Sequence, residues 1–218
     1  MSILTNTKHF FKRTFLEKDD INSNTKIALS ALLVAMFIVF DRFANIQPIW
    51  FIRLSLATVP VMVAAYILGI KWAILVGALG DMLGALFVLP FGTYFFGFTF
   101  NWILIGAVFG LLLYRKRNKS DIWLLIKMII ATVIVLVPVQ MFLASYWLYA
   151  WFNNPPDPAN RLGYFYIVGF RAWTFAIVAV IQVAVAWALC VAMKKPIEKF
   201  LVIDNEDEEV IIEQHDKS

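Results

Sequence analysis

The sequence predicts an all-α integral membrane protein, a six-helix bundle with both termini cytoplasmic. Two observations carry the membrane class. Apolar residues make up 61% of the 218 positions and charged residues only 16%, where soluble chains sit near half apolar and about a quarter charged. The apolar residues also gather into stretches of the length a bilayer core needs, roughly 20 residues per helix. A third observation, the spacing of Lys and Arg, sets the orientation. Mean hydropathy is +0.77, so the lipid bilayer is the main solvent.

The polar stretch 1–26, with Phe10, Phe11 and Phe15 beside Lys8, Lys12 and Arg13, reads as a cytoplasmic N-terminal tail, and no signal peptide is expected. The membrane domain follows over 27–193, with spans at 27–44, 53–70, 72–89, 94–114, 122–151 and 164–193. Pro138 lies inside the fifth span, where a missing backbone N–H predicts a kink. Alternate connections carry the basic residues: Lys71, then Arg115, Lys116, Arg117 and Lys119, then Lys194, Lys195 and Lys199. By the positive-inside rule those connections and both termini face the cytoplasm. The remainder, 194–218, is expected to be an acidic cytoplasmic tail around Glu206-Asp207-Glu208-Glu209.

The net charge of +4 reports topology in a membrane chain, and no nucleic-acid partner is expected. Cys190 is the single cysteine, which excludes a disulfide framework within the chain. His9 and His215 are the two histidines and both lie in the tails, so neither Ser-His catalysis nor a His-ligated metal is expected within the spans. There is no Gly-rich phosphate loop. The chain is expected to be no enzyme and to carry no cofactor.

Small residues at helical spacing mark close helix approach in lipid: Ala28, Ala31 and Ala35 in the first span, Ala73, Gly77, Gly80 and Gly84 in the third, Gly106 and Gly110 in the fourth. Each stripe reads either as packing within the bundle or as a docking face for another membrane protein. Polar groups inside spans are costly and mark sites or structural ties. Asp81 falls about 15 Å beyond Lys71 at the helical rise, near the midplane; Gln140 and Gln182 reach similar depth, and Asn101 lies shallower. Arg171 and Arg53 fall toward the outer surface, where planar guanidinium forks suit carboxylates. Arg53 reads equally as a snorkelling residue, and Asp81 as a tie between helices. Of the many outer aromatics, most belong to an interfacial belt, and some are placed to stack on a flat ligand.

Arg53-Leu54-Ser55 with Pro60, the run Gly80-Asp81-Met82-Leu83-Gly84, the run Pro90-Phe91-Gly92-Thr93-Tyr94-Phe95-Phe96-Gly97-Phe98-Thr99, and Gly106 with Gly110 and Tyr114 together resemble the folate-family S component of energy-coupling factor (ECF) transporters. The Ala31-xxx-Ala35 pair is similar to the motif by which S components dock. The likeness covers the first four spans closely and the last two in outline. Lys71-Trp72 departs from the expected Gly-Pro turn, and the Pro-rich run around Pro155 and Pro156 matches no family pattern. The resemblance implies a membrane protein that captures folate from outside and delivers it through a transmembrane coupling subunit and two ATPase subunits. It further implies docking through Ala28, Ala31 and Ala35. Folate's flat pterin and two carboxylates fit the inventory: Asp81, Asn101 and Gln140 for the pterin edge, Tyr94, Phe98, Tyr146 and Trp147 for stacking, Thr99 for a further hydrogen bond, and Arg53 and Arg171 for the glutamate end. Pantothenate, thiamine or a queuosine precursor is the alternative cargo within the class, and an oligomeric channel or structural membrane subunit the alternative outside it.

Overall fold

In a computed structural model, residues 21–42, 46–49, 52–88, 95–114, 120–152 and 163–216 are described. The first helix, α1 (Ser23–Arg42), buries Ser30, Leu33, Val34, Phe37 and Asp41, a spacing that keeps them on one face. The opposite face leaves Ala28, Ala31, Leu32, Ala35 and Val39 exposed.

The chain then departs from the expected second span. Instead of entering a helix at Arg53, it forms an antiparallel hairpin of β1 (Ile46–Ile49) and β2 (Ile52–Leu54), pairing Ile46 with Leu54 and Ile49 with Ile52. Helix α2 begins only at Thr58 and ends at Ile67. Pro60 explains the late start. A helix running from residue 53 would place its ring against the carbonyl of Leu56, whereas in the first turn proline costs nothing. The β-branched isoleucines upstream favour the extended chain. Helix α2 has ten residues, all buried, and at the helical rise is about 15 Å long, half of a bilayer core. Leu68 and Gly69 both donate to the Ala64 carbonyl, and Gly69 turns the chain with φ +84°, a conformation open to glycine. That turn replaces the expected continuation of the second span to residue 70.

Helix α3 (Ile70–Val88) packs closely along α4 (Phe96–Leu113). Glycines make this approach possible. A Cβ at Gly110 would lie 2.3 Å from the Ile70 Cα, and one at Gly106 would lie 2.7 Å from the Ala73 carbonyl oxygen; neither backbone can move aside. Gly80 similarly admits the ring of Phe37 from α1, which meets Trp102 edge-on at 4.6 Å. The stripes of the third and fourth spans are therefore packing surfaces inside the bundle. Gly110→Val is expected to lower stability in detergent by about 1–3 kcal/mol or more, the usual cost of overpacking. Gly169→Ala, with nothing within 4 Å of the added carbon, should not lower it. Thermal unfolding followed by size-exclusion of the detergent-solubilised protein measures both.

Helix α5 (Asp121–Val135) continues through π-helical turns at Leu136–Leu143, a short α6 (Ala144–Trp147) and further π turns at Leu148–Phe152. Pro138 lies in the first π segment, whose wider turns are a recognised way to accommodate a broken hydrogen-bond ladder. Helix α7 runs from Tyr164 to Asp216 with Pro196 inside it, so the backbone stays helical beyond the expected end of the sixth span. At one end of the bundle, Lys194 pairs with Asp121, and the Trp187 indole donates to the Asp121 carbonyl at 3.2 Å. These contacts tie α7 to the start of α5. Four helices among the described residues are long and apolar enough to cross a membrane: Ser23–Arg42, Phe96–Leu113, Asp121–Ala150 and Tyr164–Pro196.

Candidate substrate site

Asp81 lies midway along α3 and is 9% exposed. An apolar surrounding penalises a carboxylate that lacks donors, and the first donor comes from α4: the Thr99 hydroxyl donates to Asp81 Oδ2 at 2.6 Å. Two residues further along α4, the Asn101 Oδ1 accepts from the Trp147 indole of α6 at 3.3 Å. Residues two apart on a helix project about 200° from each other, so the start of α4 is held from two sides, by α3 through Thr99 and by α6 through Asn101. Thr99 and Asn101 are both buried. A carboxylate accepts several hydrogen bonds, and an asparagine amide carries two donors besides its acceptor, so the two groups together offer acceptors and donors of the kind a polar ligand edge pairs with.

Rings line the same region. Phe95 meets Phe98 at 5.8 Å and Trp147 at 5.5 Å, and Trp147 meets Tyr146 at 5.3 Å, all edge-on. The structure therefore brings Asp81 to Thr99, Asn101 to Trp147, and Phe98, Trp147 and Tyr146 into one chain of aromatic contacts through Phe95. Tyr146 is half exposed at 51%. Gln140 is half-buried in the π segment that packs against α4.

Arg171 is buried on α7, with its guanidinium carbon 4.7 Å over the Phe175 ring one turn along, a cation–π arrangement. The Thr174 hydroxyl bonds the Arg171 carbonyl at 3.0 Å. Arg53 is found in β2 rather than at a helix start; its side chain, like Tyr94 and the Pro-rich run around Pro155, lies outside the described residues. Ala28, Ala31 and Ala35 lie on the exposed face of α1, away from this cluster's buried groups.

Two further residues stand near these groups, neither among the candidates named from sequence. Phe95, at the start of α4, links Phe98 to Trp147. Arg42 is the last residue of α1. Its side chain is only 14% exposed, its Nε lies 3.2 Å from Asp41 Oδ2, and it rests against Gly84, where a Cβ would come within 3.1 Å of that nitrogen. Gly84 is one turn beyond Asp81 on α3. The second glycine of the Gly80-Asp81-Met82-Leu83-Gly84 run thus makes room for the Arg42 guanidinium about one turn along α3 from Asp81. The signal was present in that spacing, although only the fold supplies the arginine.

Apolar helices wrapped around a buried carboxylate, a buried amide and a wall of rings define a class: a multi-pass membrane protein whose polar groups face inward. Residues 25–191 match the family model described as ECF transporter, substrate-specific component, and the chain belongs to that family of transporter components. It is 32% identical over 119 residues to the folate transporter FolT of Clostridium novyi (strain NT), an alignment spanning 54% of this chain and 64% of that protein, less than two thirds of its length. With the folate transporter FolT of Leuconostoc mesenteroides subsp. mesenteroides it shares 29% identity over 139 residues, 64% of this chain and 71% of that one. Among solved structures, FolT bound with folic acid superposes with a TM-score of 0.64 at 29% identity, covering 79% of this chain and 96% of that chain. The S component of a bacterial ECF transporter superposes at 0.51 with 21% identity, over 83% and 99%, a likeness of fold alone.

Proposed function

We propose that this chain is the folate-binding subunit of an ECF importer in the cell membrane, with both termini in the cytoplasm. It captures the vitamin from outside and hands it on when docked on a transmembrane coupling subunit driven by two ATPase subunits. The observation that carries this reading is the likeness to FolT holding folic acid, in a fold whose buried polar atoms suit that solute. Pterin offers an amino group and a ring N–H, which Asp81 accepts, while Asn101 and Gln140 serve the remaining edge. Its flat face stacks on Phe98, Tyr146 and Trp147, with Phe95 behind them. The two carboxylates of the glutamate end take Arg53 and Arg171. Thr99 holds Asp81 in place and adds a hydroxyl to the polar edge.

Calorimetry on the purified protein tests the cargo, with folate, pantothenate, thiamine and a queuosine precursor titrated in parallel. Heat with folate and not with the others is expected; no heat with any oxidised or reduced folate overturns the reading. Arg171→Ala separates the two ends of the ligand. Losing charge-assisted hydrogen bonds of about 1.5–3 kcal/mol should weaken folate by roughly 10- to 100-fold and leave free pterin little changed. Equal losses for both would assign Arg171 to packing on Phe175.

A further inference from the structure

Gln182 lies within α7, and the contacts described so far leave it without a role. Its amide Nε2 donates to the main-chain oxygen of Ser55 at 2.6 Å, joining segments 127 residues apart. Ser55 is the first residue after β2. Its hydroxyl donates to the Phe40 carbonyl at 3.1 Å, and the Ala57 N–H donates to that hydroxyl at 3.1 Å. A single residue is thus held by the last turns of α1, by the entrance to α2 and by α7.

Part of this is ordinary accounting. Helix ends leave carbonyls without intrahelical donors, and non-helical backbone among membrane helices must find partners inside the protein. The position gives it a further consequence. The hairpin has strands of four and three residues, joined by two pairings with a register irregularity between them, and a lone two-stranded hairpin is marginal by itself. Strand β2 packs against α7, and the Ser55 node is its fixed point. Arg53 stands in that strand, two positions from the node.

We propose that Gln182, acting through Ser55, is a positioning residue that sets where β2 presents Arg53 to the acidic end of the ligand. This rests on the folate reading above. The test uses the full chain, titrated by calorimetry with folate and with pteroate, which lacks the glutamate end. Gln182→Leu keeps the side chain's size and removes the donor. Folate binding should weaken by about tenfold, the usual scale for one lost buried hydrogen bond, while pteroate changes by less than about twofold. In an Arg53→Ala background the Gln182→Leu effect should vanish, because the two act as a unit. Ser55→Ala, which removes the bonds to Phe40 and Ala57, should give the same selective loss and serves if Gln182→Leu does not fold. Equal loss for the two ligands, or a Gln182→Leu loss that persists without Arg53, overturns the proposal and leaves Gln182 a bundle tie. Wild-type protein that binds neither ligand overturns the folate reading itself.

Discussion

Asp81→Asn is expected to cut folate affinity by roughly 10- to 100-fold while leaving the fold intact. The variant keeps an acceptor oxygen for Thr99, so the bond between α3 and α4 at 2.6 Å has a replacement of the same shape. It loses the charge, and hydrogen bonds to a charged acceptor are worth about 1.5–3 kcal/mol. It also points an NH2 toward donors of the pterin. Asp81→Ala goes further, since it removes the charge-assisted bond from Thr99 that ties α3 to α4, worth about 1.5–3 kcal/mol, and it should lower the unfolding temperature as well as affinity. Calorimetry with folate and thermal unfolding on the two variants separate the roles. Retained affinity in Asp81→Asn would make the carboxylate a structural tie between α3 and α4 and remove it from the pterin edge.

Replacing Ala31 and Ala35 together by leucine is expected to abolish uptake and spare binding. Both residues are exposed on α1, and its buried face consists of Ser30, Leu33, Val34, Phe37 and Asp41. Larger side chains at these two positions therefore meet nothing inside the protein. Close approach of a second membrane helix does need small residues there, so the cost falls on docking alone. Uptake of labelled folate by cells carrying the coupling module, set against calorimetry on the purified variant, reads the split. Unaltered uptake would refute the docking role, and lost binding would show that the alanine face supports the fold.

Most of the architecture was legible in residue order because the bilayer imposes length and composition on each span. The starts and ends of α1, α3, α4 and α7 follow the apolar runs, apart from the extension of α7 past Met193. The hairpin was not legible. Strands of four and three residues are too short for a period of two to emerge from an apolar run. Pro60 did carry the information, since a helix from Arg53 would have buried it mid-helix. At the site, burying one carboxylate in lipid-facing sequence identifies Asp81 without any structure. Its partner Thr99 and the Asn101–Trp147 pair were each named singly, but helix phase and crossing decide which side chains meet. Arg42 was missed for a different reason. A cation at a span's end normally reports topology, and only its rest against Gly84 separates it from that role.

The brevity of α2 bears on how such a protein makes room for a solute. Its ten buried residues occupy about 15 Å of a bundle whose neighbours run the full apolar thickness of about 30 Å. Ahead of α2 in the chain stand the hairpin β1–β2 and the short connection through Ser55. On the proposed folate reading, a short helix leaves the hairpin and its connection free to vary with the solute while the contacts between the long helices stay as they are. Relatives that carry different solutes on this scaffold would then differ most in residues 46–57 and least where α3 meets α4.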